Sequence, residues 1–385
     1  MREPVKRLKL YETMKSDIAS GVYSPGAFLP NEFELADKYG YSRGTVRSTL
    51  AMLEDDKLVE LLKGKRRRLC PAKVEKAKVP LTFLLPCADF ISETFPHVAA
   101  QVSRRILKGV SQIAFDHNYR LETVAVSPTN NAHEIDWRKL DFVNADSMLV
   151  VIGYWYRDLF PLLSKSGCRV SFIENQAYDF NVYADYLKKW YVLTIDRIST
   201  TESAVKLLAE RGCRRIALTY DDITEKDHPV LHGYESGLAK CGLSYAAWLD
   251  TFTANNETIA GIIAGFYEKN KFDALLLDPH LVFRLRTRYS LNSCLGLPEN
   301  VKIMATDEIS FNQQAFPSLS STEFPYEEIG RVAAQRLLED NFMGGQQIFS
   351  ARIIERESTM HENERLSIVN NSLERPTDNF CTQSK

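Results

Sequence analysis

The chain has 385 residues, 44% of them hydrophobic and 25% charged, which is typical of a folded protein of two or three domains and excludes a disordered or fibrous chain. Its net charge of -2 conceals a division: residues 1–76 hold sixteen lysines and arginines against eleven acidic residues, and the remainder holds thirty-two against thirty-nine. A basic amino-terminal region before an acidic remainder favours a nucleic-acid partner at one end. The seven scattered cysteines form no Cys-x-x-Cys pair, so we expect neither a disulfide framework nor a metal site.

Apolar runs are short throughout the chain. The longest, around Met148–Trp155, meets charged residues too soon to span a bilayer, and no apolar run of signal-peptide length follows the basic amino terminus. We therefore expect a cytoplasmic protein without a membrane partner.

The first predicted elements form a helix-turn-helix. The apolar spacing predicts a helix from Leu8 to Ser20, and two further short helices meet at a tight turn at Gly40. Asn31 followed by Glu34 is the pattern of a capping box, and Ser42 is placed to cap the second of the two helices.

That second helix combines an apolar back with a cationic front. Apolar residues recur at i, i+4 and i+7 over residues 46–53, and Arg43 and Arg47 share another face, flanked by Thr45. Such a helix suits the DNA major groove. On this pattern alone an ordinary helical hairpin with solvated arginines is the alternative.

The residues that follow argue against that alternative. Leu58–Leu62 is predicted to form a strand, Lys63–Arg68 a basic turn, and Leu69–Cys70 a returning strand. A hairpin with a cationic tip after a helix-turn-helix indicates a winged helix, whose wing reaches phosphates or the minor groove.

About 65 residues of this region resemble the GntR (gluconate-repressor) winged-helix domain. The likeness is carried, in order, by Tyr11, Ile18, Gly21, Tyr23, Pro25-Gly26, Leu29-Pro30, Glu32, Glu34-Leu35-Ala36, Tyr39, Ser42-Arg43, Thr45-Val46-Arg47, Leu50 and Leu53-Glu54. The resemblance implies a recognition helix and a wing that contact DNA. The candidate DNA-binding residues are Glu32, Ser42, Arg43, Thr45, Arg47, Gly64, Lys65 and Arg66.

Two positions depart from that family's pattern. Phe33 stands where the family usually has an arginine that grips phosphate, and Arg66-Arg67-Arg68 replaces the usual glycine and small hydroxyl residue of the wing. The added wing charge is expected to strengthen attraction to the DNA backbone.

The remainder predicts an α/β body. We place a winged-helix DNA-binding domain at 1–70, a polar linker at 71–80, an effector-binding and dimerisation domain at 81–360 and a polar tail at 361–385. Strands alternate with helices of crossover length, which indicates parallel sheets with helices on both faces. Their number favours two Rossmann-like lobes around a cleft. The predicted strands are Leu81–Pro86, Arg120–Val126, Ser147–Gly153, Val170–Glu174, Tyr191–Ile195, Ile216–Tyr220, Ala274–Leu277 and Lys302–Ala305.

About 280 residues of this body resemble the ligand-binding part of LacI/GalR-type repressors, which are related to periplasmic sugar-binding proteins. The likeness is clearest in Val192–Arg197, Arg211–Ala217, Gly233–Leu238, Phe272-Asp273-Ala274, Leu297–Glu308 and Glu328-Ile329-Gly330. Together the two resemblances imply an arabinose-repressor-like architecture.

Ligands of open parallel sheets lie beyond the carboxyl ends of the strands, and polyols need bidentate acceptors and aromatic rings. The predicted strand ends carry Asp89, Phe90, Tyr154, Trp155, Glu174, Asn175, Asp196, Asp278, His280 and Asp307. The candidate effector-binding residues are Asp89, Phe90, Trp155, Asn175, Asp196, His232, Asp278, His280 and Asp307. Each has a structural alternative: Asp196, for example, is also placed to cap the next helix.

Two positions depart from the sugar-binding pattern of that family. Val230 stands in place of a sugar-gripping arginine, and Pro279-His280 replaces a frequent Asn-Asp pair. They leave two alternatives: a pocket for a compound other than an ordinary hexose, and a pocket that has lost binding.

The sequence thus predicts a homodimeric transcriptional regulator, and more specifically a repressor, that binds a double-stranded DNA operator. A small-molecule effector, a carbohydrate among the candidates, would set its affinity for that operator. The alternative is a DNA-binding protein whose body serves dimerisation alone. We expect no cofactor and no enzymatic activity, because no nucleophile elbow, phosphate loop or zinc-protease motif is present in the sequence.

Overall fold

The structure, a computed structural model, describes residues 3–19, 21–24, 27–62, 66–70, 79–92, 98–128, 134–153, 158–174, 184–220, 228–251, 259–285, 290–361 and 364. It divides the chain into two compact units, Met1–Val79 and Pro80–Lys385, called the head and the body below. The predicted linker and tail lie mostly outside the described residues.

The head is a three-helix unit with a two-stranded hairpin. Its elements are α1 (Glu3–Ala19), α2 (Glu32–Tyr39), α3 (Arg43–Asp55), β1 (Val59–Leu62) and β2 (Arg66–Leu69). Its core joins the apolar faces of all three helices to the inner side of the hairpin, and includes Leu10, Met14, Leu35, Val46, Leu50, Leu53 and Leu69. The predicted stripe of the second short helix is therefore the packed side of α3.

Among the residues described, the body contains twenty-one further α-helices and β-strands. In chain order they are β3 (Leu81–Leu85), α4 (Val98–Asp116), β4 (Leu121–Ala125), β5 (Met148–Ile152), α5 (Phe160–Ser166), β6 (Arg169–Glu174), α6 (Ala184–Leu187), β7 (Tyr191–Ile195), α7 (Arg197–Glu210), β8 (Ile216–Tyr220), α8 (Pro229–Lys240), β9 (Ala247–Asp250), α9 (Ile259–Asn270), β10 (Ala274–Leu277), α10 (Pro279–Leu285), α11 (Leu291–Cys294), β11 (Lys302–Ala305), β12 (Ser320–Glu323), α12 (Tyr326–Leu337), β13 (Gly345–Phe349) and β14 (Arg352–Ile354).

These strands form two six-stranded sheets. The first has the order β13-β7-β6-β5-β3-β4 and is parallel throughout. The second has the order β14-β12-β11-β10-β8-β9 and is parallel except for β14. Each sheet has an apolar core on both faces, which explains why its inner strands are almost wholly apolar. The predicted α/β class, with two parallel-sheet lobes and an amino-terminal helix-turn-helix, is confirmed.

The chain passes between the lobes three times. It leaves the first lobe after β7, returns between β12 and α12, and crosses again between β13 and β14. The carboxyl ends of β7 and β12 therefore coincide with crossings, and side chains there lie close to both lobes.

Helices α4 and α12 of the first lobe pack backbone to backbone. A Cβ atom on Gly109 would lie 1.9 Å from the carbonyl oxygen of Glu327, and one on Gly330 would lie 2.0 Å from that of Ile106. Since such distances are impossible, both positions require glycine for this helix crossing.

Several elements differ from the sequence prediction. The wing turn is shorter than expected, because Arg66 to Arg68 belong to β2 and pair with β1. Strands β9, β12, β13 and β14 were missed, since β12 (Ser-Ser-Thr-Glu) is polar in sequence although largely buried, and β13 is a largely exposed edge strand.

Candidate nucleic-acid interface and effector cleft

Local hydrogen bonds set the position of α2 and α3. The side chain of Asn31 accepts from the backbone N–H groups of Phe33 at 2.9 Å and Glu34 at 3.1 Å, and the Glu34 carboxylate accepts from Asn31 N–H at 2.8 Å. The predicted capping box is thus present. Gly40 has φ 72°, and Ser42 Oγ accepts from Thr45 N–H at 3.2 Å, so the predicted turn and second cap are also confirmed.

Helix α3 presents Arg43 and Arg47 to solvent. Both are exposed, whereas Val46 and Leu50 on the opposite side are at most 1% exposed. Thr45 differs from the prediction: it is 2% exposed, and its hydroxyl lies 2.8 Å from Ser42 Oγ in a hydrogen bond. Its side chain thus completes the cap instead of joining the arginine front.

Glu32 connects helix α3 to strand β2 of the hairpin. Its carboxylate accepts from Arg47 Nη2 at 2.8 Å and Nε at 3.1 Å, and from Arg67 Nη1 at 3.3 Å. The Arg47 hydrogen bond is the main cause that lowers the pKa of Glu32. Glu32 therefore fixes the Arg47 fork and offsets part of the positive charge nearby.

The three wing arginines have different surroundings. Arg67 is also paired with Glu54, and Arg68 donates to Glu60 on the opposite strand at 2.5 Å. Arg66 is exposed, and its guanidinium carbon lies 4.4 Å from the ring centre of Phe28. The wing charge expected to attract DNA is thus partly neutralised within the head. Gly64 and Lys65, the predicted wing tip, lie outside the described residues.

These groups surround a concavity of about 910 Å³ within the head. Its lining includes Arg43, Arg47 and Arg66 together with Glu32, Phe28 and Phe33. The guanidinium carbon of Arg43 lies 3.7 Å from the centre of the Phe33 ring. We call this concavity the reading surface.

The second site lies in the body, where the chain crosses between lobes. Asp307, after β11, is 3% exposed, and its carboxylate accepts from the Tyr326 hydroxyl at 2.6 Å and from Glu308 N–H at 2.8 Å. Burial raises the pKa of Asp307, and the positive charge of Arg197 opposes that shift. Asp307 follows a strand of the second lobe and Tyr326 begins a helix of the first, so this hydrogen bond joins the lobes.

Arg197 brings a positive charge to the same place. It is the first residue of α7, and its guanidinium carbon lies 5.3 Å from the centre of the Phe324 ring. Burial alone lowers the pKa of Arg197, but the negative groups around it raise the pKa above its ordinary value. These groups include Asp307 and Glu174, which end strands of different lobes. We call Glu174, Arg197, Asp307 and Tyr326 the inter-lobe cluster.

Two polar contacts on the α4 side hold the lobes together. Gln101 Oε1 accepts from the backbone N–H of Ser310 at 3.2 Å, and Arg105 lies 2.9 Å from Glu323 in a salt bridge. Val98, at the start of α4, also packs within the core of the second lobe.

Other predicted effector residues make local contacts or lie within a core. Asp196 caps α7 by accepting from Ser199 N–H at 3.0 Å, and Asp278, 1% exposed, accepts from His280 N–H at 2.7 Å. Phe90 is 4% exposed in the core of the first lobe, so its ring is not open to a ligand.

Two further predicted residues, Asp89 and His232, lie elsewhere in the body. Asp89 lines a separate cavity of about 510 Å³ near β3 and β4, and His232 is exposed on α8. Trp155 and Asn175 lie outside the described residues. Sequence reasoning missed Arg197 and Tyr326 as site residues, although each directly follows a strand end or a crossing.

The part of the chain that the structure describes holds neither a candidate metal site nor a candidate membrane-spanning helix. It contains no group of three or more His, Cys, Asp or Glu side chains that could hold a metal ion. None of its helices combines the length and the apolar character needed to cross a bilayer.

The molecule thus combines a winged helix-turn-helix with a two-lobed body whose strand ends carry a buried charged cluster. Two family models match it: the bacterial regulatory proteins of the gntR family at residues 6–68, and the periplasmic binding protein-like domain at residues 205–359. The chain therefore carries a GntR-type helix-turn-helix domain at its amino-terminal end and a periplasmic-binding-protein-like domain after it, and both predicted resemblances are confirmed.

Individual relatives agree with this description. The Uxu operon regulator of Haemophilus influenzae is 46% identical over 56 residues, which are 14% of this chain and 21% of that protein. The transcriptional regulator TreR of Bacillus subtilis is 23% identical over 233 residues, 60% of this chain and 91% of that protein. The chain thus matches about a fifth of the length of the first relative.

A solved structure shows the same fold as the body. A LacI family transcriptional regulator from Enterococcus faecium, with bound ribose, has a TM-score of 0.54 and 16% identity over 72% of this chain and 98% of that one. At this identity the likeness concerns the fold.

Proposed function

We propose that the protein is a cytoplasmic transcriptional repressor that binds a double-stranded DNA operator as a homodimer. The observation that carries the proposal is the exposed pair Arg43 and Arg47 on a helix whose opposite side forms the core of the head. A helix placed in this way by a capped turn can enter the major groove, where arginine forks recognise guanine edges. Arg66 is positioned for the phosphate backbone.

The test is DNA binding by the full-length protein, measured by fluorescence anisotropy on the DNA upstream of its own operon. Arg43→Ala and Arg47→Ala are each expected to weaken binding by about 1–3 kcal/mol. Arg138→Ala is the matched control, since Arg138 is exposed and paired with Asp136 much as Arg47 is paired with Glu32. Unchanged binding by both head variants would contradict the assignment.

We further propose that a small molecule bound between the lobes sets operator affinity. The support is the inter-lobe cluster, whose carboxylates and arginine come from both lobes and suit a polyhydroxylated ligand. A carbohydrate is our first candidate, and the ribose bound by the fold neighbour from Enterococcus faecium supports that choice. An effector changes affinity by binding one arrangement of the lobes more tightly than another.

A thermal-shift panel of sugars, sugar acids and nucleosides tests this step. A ligand at 100 times its dissociation constant stabilises the folded protein by about 2.7 kcal/mol. We expect Asp307→Asn to reduce that shift, whereas Asp340→Asn, at an exposed position after α12, retains it. A compound identified in this way should also change operator affinity.

A second candidate function is a body that serves dimerisation alone. One observation favours it: Arg197 already faces the carboxylates of Asp307 and Glu174, so its positive charge is offset without a ligand. An intact dimer by light scattering, with no thermal shift from any compound and unaltered DNA binding, would support this candidate.

A further inference from the structure

Phe33 is an apolar residue on an otherwise charged surface. It lies in the first turn of α2, is 59% exposed and lines the reading surface. The core of the head is formed by other residues, so the fold does not require an aromatic ring at this position.

The Phe33 ring stacks against Arg43, a residue that the proposed function assigns to DNA contact. Arg43 lies over one face of Phe33, with 3.7 Å between its guanidinium carbon and the ring centre. Such stacking restricts the arginine before binding, so less conformational freedom is lost when its N–H groups meet a base. With Arg43 stacked on it, Phe33 is still 59% exposed, so part of the ring remains open to a ligand.

The chemistry of the major groove limits what that ring can meet. The exposed Arg43, Arg47 and Arg66 surround it with positive charge, which is complementary to a nucleic-acid backbone. Among the four bases, the apolar group presented on the major-groove edge is the 5-methyl group of thymine.

Resting on the proposed function, we propose that Phe33 and Arg43 form one reading unit. Phe33 contacts the methyl group of a thymine next to the base that Arg43 contacts. At position 33 the chain would then have a side chain that discriminates between bases instead of one that contacts phosphate. Each operator half-site would require a thymine next to the base that Arg43 contacts.

The experiment uses a duplex selected from a random library by the full-length wild-type protein. Each thymine is replaced in turn by deoxyuridine, which lacks the methyl group and keeps the same hydrogen-bonding edge. We expect one position in each half-site to weaken wild-type binding about fourfold, the effect of exposing one apolar carbon to water. Phe33→Ala should bind the thymine and deoxyuridine duplexes equally.

Three further variants separate the ring from its surroundings. Phe33→Leu should retain part of the thymine preference. Phe33→Arg should lose that preference and gain about one unit of salt dependence, as expected for an added phosphate contact. Phe115→Ala, at a residue 85% exposed on α4 of the body, is the matched control and should retain the full preference.

The outcomes distinguish a failure of this inference from a failure of the proposed DNA binding on which it rests. If the library yields no bound duplex, the proposed function fails. If a duplex is bound but no thymine is sensitive, or the sensitivity persists in Phe33→Ala, the reading unit is disproved while DNA binding stands. Because Phe33 lies outside the core of the head, we expect each variant at this position to fold. Circular dichroism of each variant checks this.

Discussion

At the scale of single residues, Glu32 controls the charge of the reading surface. It accepts hydrogen bonds from Arg47 and Arg67, and its lowered pKa keeps it ionised at neutral pH. We expect Glu32→Gln to raise affinity for non-specific DNA severalfold and to steepen its salt dependence by about one unit, because Arg47 then meets phosphate without a competing carboxylate. Anisotropy titrations at several salt concentrations measure both effects.

The same variant should discriminate less well between operator and non-specific DNA, because Arg47 loses the partner that orients it. Asp37→Asn is the control: it removes one negative charge from the exposed side of the same helix. Equal effects of the two substitutions would show that total charge alone matters, contrary to our expectation.

Glu308 and Arg356 form a second critical pair. Arg356 donates to the Glu308 carboxylate at 2.7 Å and 3.0 Å, and each side chain is only about one-sixth exposed. Burial alone would raise the pKa of Glu308. The hydrogen bonds from Arg356, Ser321 and Asn312 outweigh that effect, so the pKa lies below its ordinary value. A lowered carboxylate pKa stabilises the fold above the unfolded-state value near 4.5, and this contribution is lost as pH falls through the folded-state pKa.

Glu308→Gln should therefore lower the free energy of unfolding by about 1.5–3 kcal/mol at pH 7, the range for a hydrogen bond to a charged group. The difference from wild type should shrink as pH falls below about 4, since both proteins then lack the ionised pair. Denaturant titrations across pH measure this. The control Glu328→Gln breaks the exposed pair with Arg331 and should cost less than about 1 kcal/mol at any pH.

Residue-level prediction succeeded where a role is local in sequence. The caps by Asn31, Ser42 and Asp196 depend on residues two or three positions away, and all three are present. The inter-lobe cluster could not be assembled in this way, because its members follow four separate strands. Whether Arg197 meets Asp307 depends on how two sheets are joined, which no local pattern records.

At the scale of elements, the crossing of α4 and α12 depends on two glycines. Gly330→Ala should cost about 3 kcal/mol or more, because the added methyl meets the Ile106 carbonyl oxygen and the helices cannot approach. Gly261→Ala is the matched control: this glycine also lies within a helix, but nothing lies within 4 Å of its Cβ direction. There alanine should stabilise slightly by its higher helix propensity.

Thermal denaturation of both variants tests this prediction. A stability of Gly330→Ala equal to that of Gly261→Ala would show that the crossing adapts to a side chain, and would contradict the described packing.

Strand prediction followed apolar content, and this explains both its success and its failure. β5 and β10 are continuous apolar runs buried on both faces, so they are apparent from sequence. β12 is nearly as buried, yet its hydroxyls bond to neighbouring backbone and side chains, as Thr322 does to the carbonyl of Thr306. Buried polar strands of this kind require knowledge of their partners.

At the scale of the whole molecule, the two units have separate cores. The head is organised around Leu50 and its neighbours, and the body around the two faces of its sheets. Units with their own cores are able to unfold independently. We therefore expect calorimetry of the full-length protein to resolve two transitions, the smaller one belonging to the head.

Core substitutions assign these transitions. Leu50→Ala, at 1% exposure, should lower the stability of the head by about 2–5 kcal/mol. The midpoint of the smaller transition should fall by roughly 10 °C or more, and the larger transition should stay in place. Phe172→Ala, at 0% exposure in the first lobe, should shift the larger transition alone. If either variant moves both transitions together, the head and the body fold as one cooperative unit, and DNA binding would then be coupled to the body through stability rather than through the arrangement of its lobes.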